Sequence, residues 1–206
     1  MKISSAMIAW LAIFLGVLAW SAWHPFDDLT WWLEVMPALV ALVVLAATRR
    51  RFPLTTLVYV LILVHSIILM VGGHYTYARV PLGDWISAIT GADRNNYDKL
   101  GHLAQGFIPA VVAREVLIRL RVVTRRGWLA FIVVCICLAI SALYELIEWW
   151  TALLTGTAAD AFLGSQGYVW DTQSDMFWAL AGAVLALVSL SAFHDRQLRG
   201  IAEVRR

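Results

Sequence analysis

The run WLAFIVVCICLAISALYELIEWW, from Trp128 to Trp150, decides what kind of molecule this is. It carries no charge before Glu145, and it exceeds the stretch of about 20 apolar residues that a helix rising 1.5 Å per residue needs to cross about 30 Å of hydrocarbon. Five further runs accompany it, at 3–23, 29–48, 54–71, 98–120 and 171–193. The run at 29–48 carries Glu34 and Pro37, which mark either a kink lining a pocket or a partly exposed carboxylate near the outer helix end, and the one at 98–120 is free of charge only from Leu103 to Ala113. Nowhere does the ten-residue alternation of a membrane β-barrel appear. The chain therefore reads as an all-α polytopic membrane protein, a single integral membrane domain over residues 1–206 built as a bundle of six transmembrane helices.

Composition excludes most other classes. With 61% hydrophobic and 15% charged residues and a mean hydropathy of +0.75, neither a soluble enzyme nor a disordered chain is tenable. A net charge of +2 leaves no basic surface for nucleic acid. Eleven tryptophans supply the aromatics that sit at membrane interfaces, so the partners implied first are membrane lipids.

Basic residues set the orientation, because they are retained on the cytoplasmic side. Lys2, Arg49 to Arg51, Arg119, Arg121, Arg125, Arg126, Arg196, Arg199, Arg205 and Arg206 flank alternate ends of the runs. The opposite side has only Arg79, Arg94 and Lys99. Six crossings then place both termini in the cytoplasm. The first run is long for a secretory signal and has tryptophans at 20 and 23 where small residues would be cleaved, so it is expected to stay as a helix. Cys135 and Cys137 diverge on their helix and cannot bridge.

No repeat or linker interrupts the chain. The two long connections, 72–97 and 151–170, lie on the outer side, where length in a compact protein points to function. In the first, Pro81 and Gly91 bracket Leu82, Trp85, Ile86 and Ile89 at i, i+3, i+4 and i+7, the pattern of a short interfacial helix over 81–91, with a surface loop that carries some apolar residues as the equal alternative. The second holds Gly156, Gly164 and Gly167 and has the character of a lid.

Ionisable groups inside a membrane are expensive and must face protein, water or a ligand. Seven converge on the outer helix ends: His74, Asp98, His102, Glu145, Glu148, Asp171 and Asp175. Asp98, His102 and Gln105 share one helix face, as do Glu145 with Glu148 and Asp171 with Asp175. Two histidines and five carboxylates suit a divalent metal, with His74, Asp98, His102, Asp171 and Asp175 as its ligands and Glu145 or Glu148 as a catalytic base. A metal-free pocket and a structural cluster that locks helix ends are the alternatives. Elsewhere, His65 reads as a satisfied interior histidine and Arg114 as a side chain snorkelling toward the cytoplasm. Glu115 needs a partner, and Ala179, Gly182, Ala183 and Ala186 form a packing stripe. Serine-hydrolase, zincin and Walker motifs are all lacking.

Gly73-His-Tyr-Thr-Tyr77 followed by Pro81, Tyr97-Asp-Lys-Leu-Gly-His102, Arg114-Glu115, Tyr144-Glu-Leu-Ile-Glu-Trp149 and Trp170-Asp-Thr-Gln-Ser-Asp-Met176 with Gly182 resemble the YjdF family of bacterial inner-membrane proteins. That resemblance implies a multi-pass protein of the inner membrane and brings no biochemical activity with it. Asp98-Lys-Leu-Gly-His102 is also similar to VanZ-like membrane proteins, from which this chain departs by its long outer loops and extra acids. Three functions fit these residues: a metal-assisted hydrolase or transferase on a lipid or envelope precursor, a non-catalytic ligand-binding or transport protein, and a structural membrane subunit.

Overall fold

The structure, a computed structural model, describes residues 4–156 and 160–204; Lys2, Arg205, Arg206 and the expected helix start at Ile3 lie outside them. Every regular element among the described residues is helical: α1 (Ser5–Ser21), α2 (Asp28–Thr48), α3 (Thr56–Tyr75), a 3-10 turn (Tyr77–Arg79), α4 (Pro81–Thr90), α5 (Tyr97–Arg119), α6 (Arg126–Thr155), α7 (Asp160–Leu163) and α8 (Asp171–Val204). Side-chain caps start several of them, satisfying amide donors that a helix leaves open. The Asp27 carboxylate accepts from the Thr30 amide at 2.7 Å, and the Ser4 and Thr55 hydroxyls accept from Met7 and Val58. Left-handed Gly91, at φ 71°, ends α4.

Four helices, α2, α3, α6 and α8, are long and apolar enough to cross a membrane. At 17 residues α1 is shorter, and α5 carries the buried Asp98, His102, Arg114 and Glu115. The long helices alternate in direction. One end of the bundle, here the acidic end, gathers the close of α1, α3 and α6 and the start of α2, α5 and α8; the Phe26 amide donating to the His74 carbonyl at 2.8 Å is one of its ties. The other, the basic end, holds Arg49 to Arg51, Arg119, Arg121, Arg125, Arg196 and Arg199.

Helix α5 is the hub: it packs most extensively on α8 and also on α6 and α3, while α1 and α2 lean on α3. The α5–α8 crossing is made at backbone level. A Cβ on Gly106 would strike the Ala179 carbonyl, and one on Gly182 would strike the carbonyl of Leu103. The small-residue stripe expected in α8 is thus a packing seam, as small residues permit in membranes. Val58, Val111, Val133, Ala110, Ala183 and Ala186 fill the core beside it.

Several helices outrun their apolar stretches. α3 continues past Val71 through Gly72 and Gly73 because the pair admits close neighbours: the Tyr77 ring sits against Gly72 and Gly101, and Val35 and Glu34 against Gly73. α6 runs to Thr155 rather than stopping at Trp150. α8 passes Phe193 and reaches Val204, its extension being polar and bound to the rest of the bundle. There His194, fully buried, lies between Arg114 (3.1 Å) and Glu115 (3.0 Å), Asp195 pairs with Arg114 at 2.5 Å, and the side-chain Oε1 of Gln197 accepts from the Leu57 amide.

That network corrects the expectation for Arg114. It is a buried, paired side chain and not a snorkelling one, because α8 continues far enough to present Asp195. Glu115 has its partners in the Thr55 amide and hydroxyl, Arg119 and His194. His65 also differs from expectation: its Nε2 is buried without a hydrogen-bond partner, since the ring faces a cleft and not a packed polar neighbour.

Candidate functional site

At the acidic end, helix geometry delivers chemistry-bearing residues from four directions. α5 opens with Asp98 and His102 one turn apart, α6 closes with Glu145 and Glu148, α8 opens with Asp171 and Asp175, and α2 contributes Glu34. Six of the seven residues expected from the sequence come together, in two groups of three. His102, Glu145 and Glu148 offer ligand atoms within 4.8 Å of one another, and so do Asp98, Asp171 and Asp175. His102 Nε2 stands 3.7 Å from Asp175, which joins the two groups.

The seventh, His74, is elsewhere. Its Nδ1 lies 3.0 Å from the Ser21 carbonyl and its ring packs on Trp20 at 4.5 Å, so it fastens α3 to α1.

The two groups differ in what already satisfies them. Asp98 and Asp171 are both held by the guanidinium of Arg94, Asp171 at 2.7 Å, and Asp98 also accepts from the Lys99 amide. Of the three bases on this side, Arg94 is thus the one that answers the carboxylates. Arg79 lies over the Phe26 ring instead, and Lys99 beside Tyr168. By contrast one oxygen of Glu145 and one of Asp175 are buried without a partner, in residues only 8% and 4% exposed. Orphaned carboxylate oxygens in so dry a place are costly unless a cation or proton occupies the gap. His102 Nδ1 is held by Gln105 at 3.1 Å, which orients Nε2 toward the acids.

The sequence left Glu34 between lining the pocket and partial exposure, and it gave no sign of the two phenols beside it. Glu34, 3% exposed, faces the phenols of Tyr77 and Tyr144, and the Tyr144 ring meets His102 edge-on at 6.2 Å. Burial first, and then Glu34, pushes the Tyr77 phenol well above its ordinary range, so it remains a neutral donor. The Tyr144 hydroxyl is buried, with the Glu34 carboxylate as its neighbour. Arg94 carried a usable signal in its spacing of four from Asp98; Tyr144 carried none, because an apolar run hides it, and Tyr77 none, because it stands in a connection whose path depends on packing.

Below this cluster opens a cleft of about 740 Å³, within the range of roughly 300–1,000 Å³ usual for small-molecule sites. α2 and α6 flank it, α3 and α5 line its depth, and α7 crosses its acidic end, touching both flanks. Phe162 of α7 is buried against Tyr144. Of the second long connection, α7 therefore lies across the site.

The two long connections are tied together by one side chain. Gln166 accepts from the Asn95 amide at 3.1 Å and donates to the Asn95 carbonyl at 2.8 Å, while Asn95 binds Val80 and Asp84. Removing both bonds by Gln166→Ala is expected to destabilise this corner by about 1–3 kcal/mol. Hydrogen exchange should then speed up at residues 94–98 while the α5–α8 seam stays protected; unchanged exchange there would refute the tie.

The amphipathic stretch at 81–91 is a helix, and its Leu82, Trp85, Ile86 and Ile89 are all exposed. An apolar face with no protein against it suits an interfacial position.

Comparison with known proteins agrees with the membrane class of the fold. The model of the DUF2238 family, described as a predicted membrane protein, matches residues 6–196. The inner membrane protein YjdF of Escherichia coli (strain K12) is 54% identical over 196 residues, covering 95% of this chain and 91% of that protein. No solved structure matches. A helical bundle with apolar helices long enough to span a bilayer, matched along nearly its whole length, is thus a bacterial inner-membrane protein and belongs to the DUF2238 family of predicted membrane proteins.

Proposed function

We propose that the protein is a metal-assisted hydrolase or transferase acting on a lipid or envelope precursor at the outer face of the inner membrane. The reading rests on one observation: His102, Glu145 and Glu148 converge within 4.8 Å beside Asp175, and two of these carboxylates keep a buried oxygen free. One imidazole with three carboxylates is the donor set of a hard to borderline divalent cation. Glu145 and Glu148, first considered as bases, move into the ligand set, while Asp98 and Asp171 hold Arg94.

A bound divalent cation would supply a water of lowered pKa. The chain's own residues do the rest. Gln105 holds the His102 ring in place, Arg94 offers positive charge beside the centre, and α7 with Phe162 limits the access of bulk water. Glu34, in reach of two phenols, is placed to take or return a proton.

In this reading α1 and α5 cross the membrane as well, making six crossings with both termini in the cytoplasm. What supports it is the alternation of the six long helices and the gathering of arginines at the end opposite the acids. α5 can be polar because α3, α6 and α8 surround it.

Elemental analysis of the detergent-purified protein tests the centre. A stoichiometric divalent cation is expected in the wild type, lost in Glu145→Gln and Asp175→Asn and kept in Asp171→Asn, whose partner is Arg94. Well-folded wild-type protein that takes up no metal after reloading would overturn the proposal.

A further inference from the structure

The cleft is longer than a headgroup site requires. Its lining runs along α5 from Asp98 to Leu120, twenty-two steps or about 33 Å at 1.5 Å per residue, against about 15 Å for one leaflet of a hydrocarbon core about 30 Å thick. Along that length the walls are apolar and narrow in side chain: Pro37, Ala41 and Val44 on α2, Val112 on α5 and Ile140 on α6. Val40 and Val44 on one flank and Ile140 on the other are 52%, 51% and 40% exposed, so the rims face the bilayer and not water. With α7 across the acidic end, the side of the bundle is the way in.

A divalent cation at the head of the cleft would take an anionic ligand oxygen. Tyr144 lines the cleft with its hydroxyl buried beside Glu34, and the Nε of Arg94 is an orphaned donor beside Asp98. A guanidinium donor close to a divalent centre complements phosphate oxygens.

We propose that this cleft seats a phosphate-headed lipid with a single hydrocarbon tail longer than one leaflet, entering sideways between α2 and α6, with its phosphate at the His102–Glu145–Glu148–Asp175 centre. The phosphate end of this assignment rests on the metal reading above, whereas the tail end rests on the cleft alone.

The test uses the full chain in detergent, with metal content and lipid binding measured by native mass spectrometry on the same samples. The probes are a long-chain polyprenyl phosphate, farnesyl phosphate and dioleoyl phosphatidate. The long single tail is expected to bind at least about tenfold more tightly than farnesyl phosphate, since each additional buried methylene is worth a factor of about four. It should also outbind the two-tailed lipid. Ala41→Trp, and separately Val112→Phe, fill the cleft far from the polar head and should abolish this preference with metal content unchanged. Equal binding of the long tail to wild type and to both metal-loaded variants would overturn the cleft assignment, as would a preference for phosphatidate. Tail binding that is sensitive to Ala41→Trp in a protein without metal would overturn the metal reading and leave the tail assignment standing.

Discussion

Gly106→Val is expected to lose most of its folded yield, and what folds should melt far below the wild type in detergent. A Cβ at this position meets the carbonyl of Ala179, which is backbone and cannot turn aside as a side chain would. The two helices must separate, and α5·α8 is the most extensive contact in the bundle. Overpacking a tight site costs about 1–3 kcal/mol when side chains can give way, and a backbone clash belongs at or above the top of that range. Gly16→Val is the control, because nothing lies within 4 Å of a Cβ on Gly16. Similar melting of both variants would show that the α5–α8 seam does not carry the fold.

Glu115→Ala comes second. The carboxylate is fully buried and serves the Thr55 amide, the Thr55 hydroxyl, Arg119 at 2.7 Å and His194 at 3.0 Å. Its removal strands Thr55 and His194 in a dry interior, and breaking a buried pair of this kind costs about 3–5 kcal/mol. Glu115→Gln keeps two of the acceptor contacts and should fall between that variant and the wild type in thermal unfolding. Because the network sits at the basic end, metal content per folded molecule should stay constant in both. Unaltered melting of Glu115→Ala would mean that water or a neighbouring side chain replaces the carboxylate.

The apolar runs and the placement of arginines made the helical class and the polarity of the bundle legible from residues alone. So did the i, i+3, i+4 spacing that put Asp98 with His102 and Glu145 with Glu148. Those signals are local, since they depend on one helix at a time. What escaped depends on pairs of helices. Nothing in the neighbourhood of His74 shows that its ring will turn to Trp20 and Ser21 instead of the acids, because that follows from where α1 packs. Glu34 looked equally suited to exposure and to burial, and only the seat of α2 on α3 turns it inward. His194 was hidden for another reason: hydropathy ends a helix where apolar residues end, whereas α8 continues on hydrogen bonds and ion pairs to Arg114 and Leu57.

The hub position of α5 bears on how the protein is made. A helix with Asp98, His102, Arg114 and Glu115 is a poor candidate for entering lipid by itself, each charge near the bilayer centre opposing insertion by about 2.5–3.5 kcal/mol on translocon scales. Arg94 and Thr55 serve Asp98 and Glu115 early, but other partners are synthesised later: Asp175 beside His102, Gly182 against Leu103, and His194 with Asp195 at Glu115 and Arg114 all belong to α8. The emerging chain therefore holds its most polar segment incompletely paired until α8 is made, and the arrival of α8 completes the acidic end, the glycine seam and the basic end in one event.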